Sequence, residues 1–272
     1  MKGKFDIDVL VASPSTITNR RVQRAMPDYA KMKKPDVKLV VLGDLNVGKT
    51  SLLHRYTERK FKDTISTVGG AFFLKQWGPY NISIWDTAGR EQFHGLGSLY
   101  CRGAAAVILT YDVTNWQSLA ELEDRFLYLT DTANSDCIFA IVGNKADLTD
   151  PRALVAEPEE EEGGDEKEGV PWANPSPTAP PMFRKQVFRE DAVALYSRIL
   201  RYKLLDEAAS MPAERMCFET SAKTGYNVDL LFETLFDMVL PSILRKKSQN
   251  ESPTVDLEEC LEVNRTKDGC CT

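Results

Sequence analysis

The sequence predicts an α/β protein with a doubly wound, mostly parallel sheet, because buried strands and helical segments alternate along most of its 272 residues. Largely apolar runs, typical of buried parallel strands, lie at 37–42, 104–111 and 139–142. Stretches with apolar residues at helical spacing follow two of them, at 119–129 and 190–205. We therefore expect a sheet of six strands with helices on both of its faces.

One part of the predicted sheet is antiparallel. Two β-prone runs, 72–77 and 81–85, are separated by Gly78, Pro79 and Tyr80, which is typical of a hairpin. Its outer strand becomes an antiparallel edge. The last predicted strand covers 216–220, and the last helix covers 228–240 and is expected to end at Pro241.

A phosphate-binding loop is predicted directly after the first buried strand. Residues 43–50 read G-D-L-N-V-G-K-T and match the pattern G-x-x-x-x-G-K-[ST]. The glycines let backbone N–H groups surround a phosphate chain, Lys49 would neutralise the terminal phosphates, and Thr50 would bind Mg²⁺. The alternative is a glycine-containing turn that matches by chance. A strand before the loop and a helix after it, over 51–56, disfavour that alternative.

Composition indicates one reduced, medium-sized domain that faces the cytosol. The six cysteines show no zinc-type spacing, and the two histidines lie far from them in sequence. A net charge of −6 argues against a general nucleic-acid binder. The N-terminus lacks a secretory signal, and no apolar run reaches the roughly 18 residues that span a bilayer.

Charge and proline content divide the chain into four parts. Residues 1–34 form a basic N-terminal extension, expected to be a solvated and disordered arm, with a targeting role as the alternative. The folded domain covers 35–244, interrupted at 150–184 by an acidic and proline-rich insertion expected to be disordered. Residues 245–272 form a flexible tail. The insertion is compatible with the fold because loop closure costs only about 0.6 kcal/mol more per doubling of length.

Further polar residues follow the ends of predicted strands. Asp86 ends the hairpin and, in a sheet that carries a phosphate loop, is well placed to hold Mg²⁺ through water. Asn144, Lys145 and Asp147 directly follow the buried strand at 139–142. A carboxylate at Asp147 can accept hydrogen bonds from the two N–H donors of a guanine edge, which adenine lacks. These residues predict a guanine nucleotide rather than ATP.

Taken in this order, the motifs resemble those of the small GTPases of the Ras superfamily, and of its Rab branch, over 36–244. The resemblance implies a monomeric P-loop G domain that binds GTP or GDP together with Mg²⁺ and binds no nucleic acid. The residues it implies for the nucleotide are Asn46, Val47, Gly48, Lys49, Thr50, Ser51, Phe61, Thr67, Gly89, Asn144, Lys145, Asp147, Ser221, Ala222 and Lys223. Those implied for Mg²⁺ are Thr50, Thr67 and, indirectly, Asp86.

Three features carry the Rab resemblance. Phe72, Trp85 and Tyr100 resemble the aromatic trio that Rab proteins present to effectors, although three core aromatics are the alternative. Residues 100–104 resemble the Rab signature Y-Y-R-G-A with one tyrosine replaced. The tail ends in a double cysteine, Cys270 and Cys271, which resembles the Rab pattern for two prenyl groups.

Departures from the usual Rab sequence cluster around the expected γ-phosphate. Leu45 and Asn46 replace a Ser-Gly pair, and Arg90 stands where a glutamine is usual, with Gln92 two residues later. Arg90 and Gln92 are the candidate catalytic residues. We expect slow intrinsic hydrolysis, because a guanidinium has no acceptor for a proton of the attacking water.

The resemblance also implies partners and a location. It implies effectors, an exchange factor, a GTPase-activating protein, a prenylation escort and a GDP-dissociation inhibitor. It places the protein on the cytoplasmic face of Golgi, endosomal or phagosomal membranes, with a soluble cytosolic pool. Two functions stay open: a GTP-hydrolysing switch, or a GTP-binding effector platform with negligible hydrolysis. A P-loop kinase that uses ATP is disfavoured by Asp147 and by the cysteine tail.

Overall fold

The computed structural model describes residues 9–12, 35–62, 64–89, 94–154, 183–206 and 210–250. The strands are β1 Val9–Ala12, β2 Val37–Leu42, β3 Gly70–Trp77, β4 Tyr80–Thr87, β5 Ala106–Asp112, β6 Ile138–Asn144 and β7 Cys217–Glu219. The helices are α1 Lys49–Glu58, α2 His94–Cys101, α3 Trp116–Glu121, α4 Arg189–Tyr202, α5 Ala213–Met216 and α6 Val228–Asn250. Contacts divide the chain into one unit at Met1–Val239 and another at Leu240–Thr272.

The strands form one sheet in the order β1-β3-β4-β2-β5-β6-β7. The six strands from β2 to β7 are the predicted sheet: β3 is antiparallel to β4, and the remaining pairs among them are parallel. Every residue of β5 is buried, which requires cover on both faces of the sheet. The predicted fold class is confirmed.

The strand register gathers the polar strand ends at one edge of the sheet. Asp86 in β4 lies opposite Val41 in β2, and Asp112 in β5 lies opposite Asn144 in β6. In an open parallel sheet, ligands bind beyond these carboxyl ends. The register therefore brings together residues that are far apart in sequence, next to the loop that follows β2.

A seventh strand, β1, comes from the basic N-terminal extension. From the sequence, a solvated and disordered arm is expected there. Residues 9–12 instead pair antiparallel with the outer edge of β3. The rest of the extension, most of the acidic insertion and residues 251–272 lie outside the described residues.

Two predicted helices differ from the observed ones. The stretch predicted as a helix at 119–129 begins in α3, widens into a π-helical turn at 122–126 and tightens into a 3-10 helix at 127–132. Its apolar side chains are nevertheless buried, so the core contacts are kept while the hydrogen-bond pattern changes. The predicted end at Pro241 is wrong, because α6 continues to Asn250. Good helix formers on both sides of the proline favour helix over termination.

No helix within the described ranges is long and apolar enough to cross a membrane.

Candidate nucleotide-binding site

Two glycines of the loop at 43–50 occupy positions that exclude a side chain. Gly43 has φ +145°, and a Cβ there would lie 2.2 Å from the carbonyl oxygen of Thr110. Gly48 has φ +93°, and its Cβ would lie 2.4 Å from Nδ2 of Asn144. Asn46 also has a positive φ, of 61°. Asparagine tolerates this conformation better than most residues, so the replacement of the usual glycine is compatible with the loop.

The loop leads into a helix whose first N–H groups have no side-chain cap. The residue before α1 is Gly48, in a left-handed conformation, with no side-chain hydrogen bond to the helix. The first turn of α1 contains no acidic residue. Uncapped N–H groups and the positive end of the helix dipole form an anion site. This geometry suits the phosphates that the motif predicts.

Lys49 begins α1, and its side chain extends back into the loop. Its ammonium group donates to the backbone oxygens of Gly43 and Asp44, at 2.9 and 2.8 Å. Burial lowers the pKa of Lys49 to about 8, against the opposite effect of Asp86 and Asp44. A phosphate chain would act on this pKa as the two carboxylates do, because negative charge favours the charged ammonium.

The three residues predicted for Mg²⁺ meet in a single cluster. The Thr50 hydroxyl donates to Oδ2 of Asp86 at 2.7 Å, and the Thr67 hydroxyl donates to the same oxygen at 2.9 Å. The two hydroxyl oxygens are 3.0 Å apart. Hydroxyl and carboxylate oxygens are the kinds of ligand that Mg²⁺ takes, directly or through water, so this donor set suits the ion.

One oxygen of Asp86 supports the same assignment. Asp86 is fully buried, and its Oδ1 has no hydrogen-bond partner among the described residues. Burial raises the pKa of Asp86, although Lys49 and the hydroxyls of Thr50 and Thr67 lower it. An unsatisfied buried carboxylate oxygen is costly unless water or a cation satisfies it. The donor set therefore fits Mg²⁺ held partly through water.

Asn144 connects the phosphate loop to the loop that follows β7. Its Nδ2 donates to the Val47 carbonyl at 2.9 Å, and its Oδ1 accepts from the backbone N–H of Ala222 at 3.0 Å. The side chain is almost fully buried. From the sequence, Asn144 is expected to be a nucleotide ligand; in the structure its side chain joins two loops.

Ser221 orients Asp147. The Ser221 hydroxyl donates to Oδ1 of Asp147 at 2.5 Å and accepts from the backbone N–H of Thr224 at 3.1 Å. Asp147 lines the cavity, whereas Ser221 is fully buried behind it. Ser221 therefore acts through Asp147 in this geometry rather than facing the ligand space.

Lys145 has a partner that the sequence analysis did not assign. Its ammonium group lies 2.7 Å from Oδ2 of Asp112. Asp112 ends β5, just as Asp86 lies near the end of β4. A carboxylate at the end of a buried parallel strand was the signal that could have identified it.

A cavity of about 310 Å³ brings most of the predicted residues together. All of the residues predicted for the nucleotide line it, except Val47 and Ser221. Further lining residues that were not predicted as ligands are Leu45, Thr64, Ile65, Ser66, Thr87 and Leu148. Thr64 to Ser66 belong to a polar connection without hydropathy periodicity, so no local pattern could indicate their place. Arg90 and Gln92, the candidate catalytic residues, lie outside the described residues.

The aromatic trio forms one half-buried cluster. The ring centroids of Phe72 and Trp85 are 5.5 Å apart, and those of Trp85 and Tyr100 are also 5.5 Å apart. The Lys38 ammonium lies 4.7 Å from the Trp85 ring centroid. All three aromatic side chains are partly exposed. A partner protein can therefore contact them, and this surface is separate from the cavity.

Comparisons with known proteins identify the family of this chain. The Ras family model matches residues 38–241. Ras-related protein Rab-20 of Mus musculus is 65% identical over 240 residues, covering 88% of this chain and 100% of the mouse protein. Rab-20 of Homo sapiens is 65% identical over 245 residues, with the same coverage. Ras-related protein Rab5 of Nicotiana tabacum is 42% identical over 127 residues, covering 45% of this chain and 64% of that protein.

The chain therefore belongs to the Ras family of small GTPases, which hydrolyse GTP, and it is of the Rab type that acts in membrane trafficking. Within that type it is similar to Rab-20. The residues Leu45, Asn46 and Arg90, the acidic insertion and the Cys-Cys tail distinguish this sequence from the usual Rab pattern and indicate the same relationship.

The connection through Asn144 leads to a prediction about stability. We expect Asn144→Ala to lower the free energy of unfolding by about 2–4 kcal/mol, because it leaves buried backbone groups of Val47 and Ala222 unsatisfied. Urea unfolding measures the change. Asn134→Ala is the matched control, since the hydrogen bonds recorded for Asn134 use backbone atoms. Equal midpoints for the two variants would contradict the structural role of Asn144.

Proposed function

We propose that the protein is a membrane-anchored switch that binds GTP and GDP with Mg²⁺ and recruits effectors in its GTP state. The observation that carries this proposal is the cluster of Thr50, Thr67 and Asp86 beside Lys49, at the cavity that Asp147 also lines. A phosphate loop, a magnesium cluster and a guanine-reading carboxylate around one cavity suit a guanine nucleoside di- or triphosphate. They do not suit ATP, which lacks the N–H pair that Asp147 reads.

The cluster also supports switching. Thr67 lies in the connection between α1 and β3, whereas Thr50 belongs to α1 and Asp86 to β4. Thr50, Thr67 and Asp86 would hold Mg²⁺, and the ion would supply positive charge that offsets the charge of the phosphates. Because Thr67 hydrogen-bonds to Asp86, the position of the connection is coupled to the site of the ion and the phosphates. β3, which contains Phe72, follows this connection directly. A change in the bound nucleotide can therefore alter the position of the aromatic trio.

Removing the charge of Asp86 tests the proposal. In Asp86→Asn we expect GDP to dissociate at least tenfold faster in Mg²⁺ than from the unaltered protein, and added EDTA to accelerate release no further. The reason is that a neutral amide no longer holds the ion, although it fills the same space. Release of a fluorescent GDP analogue, with and without EDTA, measures both effects.

Asp112→Asn is the matched control for this experiment. Asp112 is also buried at the end of a strand, but it pairs with Lys145 rather than with the hydroxyl cluster. It should keep the acceleration by EDTA. If Asp86→Asn keeps that acceleration as well, the cluster does not hold Mg²⁺ and the proposal fails.

Slow intrinsic hydrolysis is the second part of the proposal. Leu45 lines the cavity, and a Cβ at Gly89 would lie 2.5 Å from the backbone nitrogen of Leu45. The chain that leads to Arg90 therefore passes close to the phosphate loop. There, the branched side chain of Leu45 reduces the space beside the expected γ-phosphate. Arg90 lacks an acceptor for the attacking water. An effector platform with negligible hydrolysis is the alternative, and the single-turnover rate decides between them.

The corresponding prediction concerns Arg90→Gln. We expect this variant to hydrolyse bound GTP about tenfold faster or more in single turnover, because a glutamine can orient the attacking water. Gln92→Ala is the companion variant and should leave the rate unchanged. An unchanged or lower rate in Arg90→Gln means that Arg90 does not cause slow hydrolysis. A large loss in Gln92→Ala assigns the water to Gln92 instead.

The remaining parts of the proposal concern partners and membranes. We propose that effectors bind the trio of Phe72, Trp85 and Tyr100, and that two prenyl groups on Cys270 and Cys271 attach the protein to membranes. An exchange factor, a GTPase-activating protein, a prenylation escort and a GDP-dissociation inhibitor complete the cycle. The proposed location is the cytoplasmic face of Golgi, endosomal or phagosomal membranes, with a cytosolic pool. Both cysteines lie outside the described residues.

A further inference from the structure

The outer edge of β3 carries a strand from the N-terminal extension. Val9, Leu10, Val11 and Ala12 of β1 lie opposite Phe73, Phe72, Ala71 and Gly70, respectively, in an antiparallel register. β3 itself continues to Trp77, so β1 covers only the first half of the edge. The covered half is the one next to the connection that contains Thr67.

An uncovered sheet edge presents a row of unpaired N–H and C=O groups, which makes it a template for another strand. Extended peptides bind such edges through main-chain hydrogen bonds. Residues 9–12 read Val-Leu-Val-Ala, a short β-prone run within a polar segment. Residues 9–12 can therefore pair with the outer edge of β3 through main-chain hydrogen bonds.

The covered half of β3 contains Phe72 and borders the other two members of the aromatic trio, Trp85 and Tyr100. Phe72 lies opposite Trp85 on its inner side and opposite Leu10 on its outer side. Gly70 packs against Tyr100, since a Cβ at this glycine would lie 2.8 Å from Cζ of that ring. A strand on residues 70–73 therefore borders the surface on which the proposed effectors would bind.

From these positions we propose that the first half of the β3 edge is a strand-acceptor site, and that residues 9–12 occupy it in cis. The partner that fits the site is a protein segment in extended conformation, which must displace β1 to pair with β3. The N-terminal extension is then an intramolecular competitor at the border of the aromatic trio. This inference rests on the proposed function only for the identity of the trio as an effector surface.

A disulfide trap tests the pairing in the full chain. In Val11→Cys with Ala71→Cys, the two residues face each other across the strands. Directly opposite residues in antiparallel strands have Cα atoms about 4.5–5.5 Å apart, within the range that a disulfide bridges. We expect rapid crosslinking on mild oxidation. Val11→Cys with Lys75→Cys is the matched control and should not crosslink, because four residues add roughly 13 Å along a strand.

Hydrogen exchange tests occupation of the edge. Leu10→Pro with Val11→Pro removes two consecutive N–H donors, one of which must face β3 because donors alternate along a strand. We expect outward-facing amides in 70–73 to exchange at least tenfold faster in this variant, and those in 74–77 to be unchanged. Thr16→Pro with Ile17→Pro places the same number of prolines elsewhere in the extension and should change neither group.

A synthetic peptide of residues 5–16 tests the acceptor directly. It should bind the Leu10→Pro, Val11→Pro chain and restore protection at 70–73, and it should bind the unaltered chain at least tenfold more weakly. Any of three results would overturn the proposal. They are no crosslinking of Val11→Cys with Ala71→Cys, equal exchange at 70–73 in both proline variants, and equal peptide binding to the unaltered chain and to the Leu10→Pro, Val11→Pro chain. None of these readouts involves nucleotide discrimination, Mg²⁺ or hydrolysis, so they can fail while the proposed function stands, and the reverse also holds.

Discussion

Asp147→Asn is expected to lower the preference of this protein for GTP over ATP by about 10²-fold or more. In the proposed function Asp147 accepts two hydrogen bonds from the guanine edge, and bonds to a charged group are each worth about 1.5–3 kcal/mol. A site with buried polar groups strongly rejects a ligand that leaves them unpaired. Competition of GTP, GDP and ATP against a fluorescent guanine nucleotide measures the change.

The contact with Ser221 makes the prediction more specific. The Ser221 hydroxyl donates to Oδ1 of Asp147, so in the asparagine variant the amide oxygen would keep this bond. The amide NH₂ group would then be available to the base in place of the second carboxylate oxygen. Xanthine carries a carbonyl where guanine has its exocyclic amine, so xanthosine triphosphate should gain affinity as GTP loses it.

Asp150→Asn is the matched control, because Asp150 lies three residues further on and pairs with Arg152 instead. This variant should keep the guanine preference and gain nothing for xanthosine triphosphate. Equal GTP and ATP affinities in the unaltered protein, or an unchanged preference in Asp147→Asn, would show that Asp147 does not read the base.

Loss of both terminal cysteines is expected to release the protein from membranes completely. One lipid chain gives only marginal anchoring, and two give stable anchoring. Residues 245–268 hold five Lys or Arg against six acidic residues, so no polybasic segment can replace a missing chain. We therefore expect Cys270→Ser or Cys271→Ser alone to move most of the protein to the cytosol. Cell fractionation measures the membrane-bound share.

Cys260→Ser is the matched control, because Cys260 lies in the same tail but ten residues before the pair. It should leave membrane association unchanged. Full association of the Cys270→Ser, Cys271→Ser double variant would exclude lipidation of this pair as the anchor.

The fold class was predictable from the amino-acid sequence, and so were most of the residues that line the cavity. Each of the predicted motifs follows a strong apolar run: the G-x-x-x-x-G-K-T loop, Asp86, and the Asn144 to Asp147 motif. These patterns can be recognised from sequence because each is formed by residues that are neighbours in the chain. Helix ends were less certain. Pro241 lies inside α6 because one missing N–H does not outweigh the helix formers around it.

Contacts between residues that are distant in sequence were not predictable and become visible only in the folded chain. Three sets of contacts join segments that are 17 to 97 residues apart. Thr50 and Thr67 meet at Asp86, Lys145 pairs with Asp112, and Asn144 hydrogen-bonds to two loops. The same is true of β1, whose place on β3 depends on an edge that exists only once the hairpin has joined the sheet. Such contacts have no sequence pattern, because each depends on strand order and register that no single segment encodes.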